Sequence, residues 1–213
     1  MNNPWGDVIE LPINGREPKP RAAGWTMVID KGLGLGQTAD LLEAAADYID
    51  LVKIGFGTSV LYPRGVLEAK IRLIKSYGVD VCPGGTLLEV ACWQGRLEPF
   101  LERARVLGFT FIEVSDGTIT MSPKDRAATI RKSLAAGFRV VSEVGKKDPL
   151  EVISPRAVAQ QILFDLEQGA QKVIMEGRDS GKGVGVYDRA GGVKEADLET
   201  IVAGVGDPGV IIW

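Results

Sequence analysis

The sequence predicts an α/β fold, a (β/α)8 barrel that stops after its seventh strand. Three observations predict it. Short, branched apolar runs recur at 25–29, 49–54, 79–82, 109–114, 139–144, 172–175 and 210–213, and the first five begin about 25 to 30 residues apart, the length of one strand-plus-helix unit. Most of these runs do not alternate apolar with polar residues, as expected of strands covered on both faces. Amphipathic stretches fill the gaps between them, and even spacing without a nucleotide-binding fingerprint favours a barrel over an open doubly wound sheet.

Each element has its own signal. Residues 1–21 carry Pro4, Pro12, Pro18 and Pro20 among scattered charges and read as an N-terminal arm; 22–213 form the barrel domain, with its C-terminal part missing. Leu67, Ile71 and Ile74 make a stripe closed by Gly78, and a helical region follows Gly84-Gly85-Thr86. Leu97, Leu101, Ala104 and Leu107 recur at helical spacing. Ser122 caps a helix that starts at Pro123, with Asp125 in its first turn, Ala127, Ile130 and Leu134 on one face, and Gly137 as the stop. Ser154-Pro155 repeats that start, with Val158, Ile162 and Leu166 as the stripe and Gly169 as the stop. The last run ends at Trp213, where a barrel of about 250 residues would continue, so the sequence reads as a fragment.

Composition excludes several chemistries. The 213 residues hold 25 Lys+Arg and 28 Asp+Glu, a net charge of −3, which argues against a nucleic-acid-binding module. There is no histidine, so His-activated nucleophiles and His-ligated metals are out. Cys82 and Cys92 form neither a zinc motif nor a disulfide framework. No apolar stretch approaches the roughly 20 residues of a membrane span, and no signal peptide is legible, so a cytoplasmic protein is expected.

Polar residues gather just after the apolar runs: Asp30 and Lys31; Lys53, Gly55 and Gly57; Gly84, Gly85 and Thr86; Glu113, Ser115 and Asp116; Glu143, Lys146 and Lys147; Glu176, Arg178 and Lys182. In a barrel these ends converge on one face. The carboxylates Asp30, Glu113, Glu143 and Glu176 are candidates for a hard cation such as Mg²⁺, which takes oxygen ligands; the alternative is that some only pair with nearby lysines. The lysines suit an anionic substrate, and the glycines allow close backbone approach to it. The glycine-rich 177–185 segment is not a Walker loop, because Gly183 follows Lys182 where Ser or Thr is required. A loop that covers substrate over 177–186 is the alternative. Phe56, Tyr62 and Trp93 are better candidates for packing than for shaping a substrate mouth.

Several segments together carry a family resemblance. Asp30-Lys31-Gly32, the run from Asp50 through Lys53 to Gly55-Phe56-Gly57-Thr58, Pro83-Gly84-Gly85-Thr86, Phe111 through Gly117, Ser142 through Asp148, and Glu176 through Gly181 resemble the phosphosulfolactate synthase family over about residues 22–213. The resemblance implies an incomplete TIM barrel that adds sulfite to phosphoenolpyruvate with Mg²⁺, giving (2R)-phospho-3-sulfolactate. In methane-forming archaea this step leads toward coenzyme M, and in bacterial relatives toward sulfolactate. It also implies a homo-oligomer with small anionic substrates and no membrane or nucleic-acid partner. Lys146 lies where the family's proposed catalytic lysine falls, and Lys147 is its rival. Glu113 and Glu143 would come first as metal partners, then Asp30 and Glu176. Lys31, Lys53 and Arg178 would meet phosphate, carboxylate and sulfite, with Gly84, Gly85 and Ser115 beside them. The competing readings are another Mg²⁺-dependent enolate-stabilising lyase or aldolase on the same barrel, and a non-catalytic heat-stress-associated relative.

Overall fold

Each of the seven branched runs becomes a strand. In the computed structural model, which describes Trp5 and residues 7–9, 17–148, 151, 153–177 and 180–213, the order is β1 (Met27–Asp30), α1 (Leu35–Ala45), β2 (Leu51–Ile54), α2 (Arg64–Ser76), β3 (Asp80–Cys82), α3 (Gly85–Trp93), α4 (Leu97–Leu107), β4 (Phe111–Val114), α5 (Pro123–Ala135), β5 (Arg139–Val144), α6 (Pro155–Glu167), β6 (Lys172–Met175), α7 (Glu195–Val205) and β7 (Ile211–Ile212). All strand pairs are parallel, in the orders β1-β2-β3 and β4-β5-β6-β7. Thr110 links the two sheets: its N–H donates to the Val81 carbonyl at 3.0 Å and its Oγ1 accepts from the Val81 N–H at 2.9 Å.

Alternate residues along each strand face opposite layers. Leu51, Cys82, Phe111, Val141, Ile174 and Ile212 bury together as an inner plug, against which Trp25 and Met27 pack. Their neighbours Val52, Val81, Ile112 and Val140 turn outward onto Leu67, Ile71 and Ile74 of α2 and Ile130 of α5. Both faces are therefore apolar at mid-strand, which is why the runs lack alternation. Two residues beyond Leu51, Phe111 and Val141 stand Lys53, Glu113 and Glu143. A charged layer thus rests directly on the apolar plug, at the C-terminal strand ends.

The predicted helix starts form as expected. Ser122 Oγ accepts from Asp125 N at 3.1 Å, and Ser154 Oγ from Ala157 N at 3.3 Å. The run from Gly85 to Leu107 divides into α3 and α4 at Gly95, whose φ of +65° stops the first helix. Neither α1 nor α7 has a strong stripe: α1 buries only Thr38 and Leu42, and α7 only Ile201. Most strands begin one or two residues later than their apolar runs, because the preceding side chains cap the sheet instead of extending it. Asp50, for example, accepts from Thr26 N at 2.8 Å.

The arm expected over 1–21 lies partly outside the described residues, and its described end is a strap under the barrel. Arg21 pairs with Asp50 at 2.6 Å, both side chains buried, and its guanidinium also reaches the Glu17 and Asp47 carbonyls. Lys19 donates to the Ala46 carbonyl at 2.7 Å. No helix among the described residues is long and apolar enough to cross a membrane.

Arg21→Ala would leave Asp50 buried without its cation. The expected loss is about 3 kcal/mol, a fall in Tm of roughly 6–12 °C for a chain of this size. A circular-dichroism melt checks it, and an unchanged Tm would show that the strap does not hold the barrel floor.

Candidate active site

Lys53 projects from the end of β2 and its ammonium lies between two carboxylates. It is 2.7 Å from Glu113 Oε1 and 2.8 Å from Glu143 Oε2. Glu113 Oε1 also accepts the Gly85 N–H at 2.9 Å, at the start of α3. Burial works against the charge on Lys53, but the two carboxylates outweigh it and raise its pKa, so it is a permanent cation. Burial dominates at Glu113 and pushes its carboxyl up to about 7, despite Lys53. Glu143 goes the other way: burial opposes its charge, but Lys53 and Lys147 hold it below the usual range. Below about pH 7 the pair therefore holds a proton at Glu113 beside an ionised Glu143.

Lys147 is set against this triad from the β5 end. Its ammonium donates to Thr86 Oγ1 at 2.9 Å and lies 3.6 Å from Glu89 Oε1 and 3.7 Å from Glu143 Oε1. Its stem lies along Gly117, where a Cβ would meet the Lys147 Cε, Cγ and Cδ at 3.0, 3.1 and 3.2 Å. Glu89, fully buried on α3, accepts from the Ser115 and Thr118 hydroxyls and from the Thr118 N–H at 2.7 Å. Burial opposes its charge, but those hydroxyls and Lys147 hold its pKa low. Glu89 and Thr86 thus fix the one lysine of the β5 end that faces the cavity. Sequence reasoning missed Glu89 because a carboxylate inside a helix reads as solvent-exposed.

A cavity of about 1180 Å³ is lined by Lys53, Thr86, Glu143, Lys147, Glu176 and Lys182 and also by Trp25, Met27, Ile174 and Ile212 from the apolar layer. That is ample for a small anionic substrate. Glu176 reaches it from β6, next to Gly145, where a side-chain Cβ would come within 2.8 Å of the Glu176 Cβ. Ser180, Gly181, Lys182 and Tyr187 cover one side; in this cover Gly183 N donates to the Asp188 carbonyl at 2.7 Å and Lys194 N to the Val186 carbonyl at 2.8 Å.

The structure brings Lys53, Glu113, Glu143, Lys147 and Glu176 together and gives other candidates internal tasks. Asp30 pairs with the buried Lys70 and accepts from Gly32 N and Leu33 N at 2.9 and 2.8 Å, so it holds the β1–α1 loop. At Gly84, with φ +79°, a Cβ would come within 3.1 Å of the Ile54 carbonyl oxygen, and at Gly85 it would meet Ser115 and Glu113; both glycines serve close packing within the protein. Ser115 is buried on Glu89. Lys146 turns away from the cavity: it donates to the Asp116 and Ile119 carbonyls at 2.7 and 3.1 Å and secures the β4–α5 loop. Lys31 stands at the rim over Phe56. Arg178 lies outside the described residues. Phe56 lines the cavity mouth, whereas Tyr62 is held by its hydroxyl on the Leu33 carbonyl and Trp93 is exposed on α3.

A divalent cation has a fitting donor set here. Glu113 Oε2 and Glu143 Oε1 are buried without a hydrogen-bond partner. They are hard oxygen donors, and the proton at Glu113 is what a cation would displace. Among the described residues no three carboxylate or thiolate side chains form a ready cage, so such an ion would keep several waters.

Parallel strands under helices, with a cavity that takes in the charged C-terminal strand ends, define an enzyme built on a (β/α) barrel. An aldolase from Escherichia coli K12, YdjI, shares the fold, with a TM-score of 0.57 over 88% of this chain and 66% of that one at 10% identity. The family model described as (2R)-phospho-3-sulfolactate synthase (ComA) matches residues 14–213, and the chain belongs to that family of lyase-type enzymes. It is 40% identical over 185 residues to the phosphosulfolactate synthase of Methanothermobacter thermautotrophicus, covering 86% of this chain and 72% of that protein. It is 43% identical over 186 residues to that of Methanocaldococcus jannaschii, covering 85% and 73%.

Two outcomes test this geometry. Gly117 has an ordinary backbone conformation, so Gly117→Ala acts through the Lys147 stem. Turnover is expected to fall about 10-fold with little change in Tm; unchanged turnover would mean that the stem's position does not matter. The raised pKa of Glu113 means that the metal-free folded protein binds more protons than the unfolded chain between the usual carboxylate range and about 7. That contribution to stability is full at acid pH and is lost as pH rises through about 7. The carbon-13 carboxyl signal of Glu113 should titrate near neutrality, and the stability advantage over Glu113→Gln should shrink from about pH 5 to about pH 8. A midpoint in the usual carboxylate range would contradict both.

Proposed function

We propose that this chain joins sulfite to phosphoenolpyruvate, with Mg²⁺ as its cofactor, and releases (2R)-phospho-3-sulfolactate. The observation that carries the reading is the pair of cations, Lys53 and Lys147, lining one cavity beside Glu143 in a member of this family. Glu113 and Glu143 would hold the ion, with Glu176 within the same cavity wall. Bound there, Mg²⁺ would supply positive charge to the substrate carboxylate.

The reaction makes one carbon–sulfur bond and one carbon–hydrogen bond. The sulfite sulfur attacks C3 of the enol phosphate, and the displaced π electrons accumulate on the carboxylate as an aci-carboxylate. Lys53 is the fixed cation best suited to that charge, because its two carboxylates keep it protonated and buried neighbours keep it still. A proton must then reach C2 from one face. We assign that step to Lys147, whose ammonium reaches the cavity, and give Lys146 the task of holding the loop beneath it. Glu89 and Thr86 orient the Lys147 ammonium and limit the direction from which the proton arrives.

The test is mass-spectrometric detection of phosphosulfolactate from phosphoenolpyruvate and sulfite, with and without Mg²⁺. Metal-dependent product is expected; no product from a cooperatively folded sample would overturn the reading. Lys147→Ala should lower kcat about 10²- to 10⁴-fold, and Lys146→Ala far less. The reverse order would return the proton donor to Lys146.

A further inference from the structure

The lysines that line the cavity are not equivalent. Lys53 commits its charge to Glu113 and Glu143, and Lys147 lies against Thr86, Glu89 and Glu143. Lys182 lines the same cavity, and among the described residues its ammonium has neither a carboxylate nor a hydrogen-bond acceptor. The wall also carries Glu143 and Glu176, so an anionic substrate entering it meets acids as well as cations. Lysines already engaged with carboxylates attract such a substrate less than one whose field is not offset.

A small hydrogen-bonded cover holds Lys182 in place. The Asp188 carboxylate accepts the Gly192 and Ala190 N–H groups, both at 2.8 Å, and they hold its carboxyl below the usual range. The Asp188 carbonyl accepts the Gly183 N–H at 2.7 Å, and the Asp188 N–H donates to the Gly192 carbonyl at 2.8 Å. This turn brings Gly191 back against Lys182: a Cβ at Gly191 would come within 3.5 Å of the Lys182 Cγ and 3.7 Å of its Cε. The cover is docked on the end of β6. A Cβ at Gly185 would meet the Glu176 carbonyl, and one at Gly177 would lie 3.3 Å from the Tyr187 ring. Lys182 is thus carried on a folded element fixed to the cavity wall, with its stem laid along Gly191.

We propose that Lys182 is a specificity-determining residue whose ammonium meets the phosphate of the substrate, and that Asp188 is a positioning residue that holds it there through the 183–192 turn. The proposal rests on the reading of this cavity as the substrate site. The substrate carboxylate belongs with Lys53, where charge builds during the reaction. The phosphate brings about two further negative charges near neutrality and needs a cation of its own. A lysine suits it as a point charge that requires no fixed fork geometry.

The experiment uses Lys182→Gln, Lys182→Arg, Asp188→Ala, and the double variant of Lys182→Gln with Asp188→Ala. In Lys182→Gln the KM for phosphoenolpyruvate should rise about 10-fold, the larger part of the loss falling on KM and not on kcat. The KM for sulfite should move much less. Lys182→Arg keeps the charge and should stay closer to the wild type. Asp188→Ala should raise the KM for phosphoenolpyruvate about 3-fold, and the double variant should be no worse than Lys182→Gln alone, since one residue acts through the other. An unchanged KM for phosphoenolpyruvate in Lys182→Gln, a rise confined to sulfite, or effects that multiply in the double variant would each overturn the proposal. If the wild-type chain makes no product from phosphoenolpyruvate and sulfite, the functional reading fails separately. Calorimetric affinity for inorganic phosphate then decides: weaker binding in Lys182→Gln supports the assignment, and equal binding, or none to the wild type, overturns it.

Discussion

The position of Lys53 between Glu113 and Glu143 is the constraint around which the upper half of the molecule is arranged. It joins the ends of β2, β4 and β5, and so bridges through their interior the two sheets that Thr110 links by its backbone N–H. One cation and two carboxylates leave an excess of negative charge in a dry place, which folding does not tolerate without relief. The relief comes from several directions: a proton on Glu113, the Gly85 N–H on the same carboxylate, and Lys147 approaching Glu143. A site that already needs one more positive charge is well matched to a divalent ion, and the Glu113 and Glu143 oxygens that accept no hydrogen bond are where that need is localised.

A second buried ion network supports the first from outside. Arg126, on α5, donates to both Asp165 oxygens on α6 at 2.8 and 2.6 Å, to Asp116 at 2.9 Å and to the Glu143 carbonyl at 2.9 Å. Its planar fork thereby fixes the end of β5 relative to the loop after β4, and Asp116 passes the restraint on to Lys146. An apolar replacement of the Arg126–Asp165 pair would fill the space between two helices equally well. It would not hold Glu143 and the Lys146-Lys147 turn in register with the triad. The pair is better understood as specifying geometry than as adding stability.

The sequence was legible where one physical rule acted alone. All seven strands follow from branched apolar runs, the first five at regular spacing, and the Ser-Pro starts of α5 and α6 follow from capping chemistry. Lys53, Glu113, Glu143, Lys147 and Glu176 were legible as strand-end polar residues because a barrel brings such ends together. What sequence could not supply was the pairing among them. Asp30 and Glu143 look alike as acids at strand ends, yet Asp30 meets Lys70 from α2 and Glu143 meets Lys53. Lys146 and Lys147 are neighbours in sequence, and only the path of the turn after Gly145 sends one to the loop and the other to the cavity. Glu89 was hidden for the same reason, since its importance lies in the loop it holds and not in its own helix.

The glycines of the strand ends show how packing and chemistry are coupled. Gly85 has Glu113 and Ser115 where a Cβ would stand, Gly117 has the Lys147 stem, and Gly145 has Glu176. Each omits a side chain so that an ionisable group from another strand can occupy the space. Charges brought this close set one another's protonation, because their interaction grows as the separation shrinks and as water is excluded. The close approach that the sequence suggests for a ligand is thus turned inward. It holds the charged groups against one another, and it is this internal contact that leaves Glu143 ionised, Glu113 near neutrality and Lys147 facing the cavity.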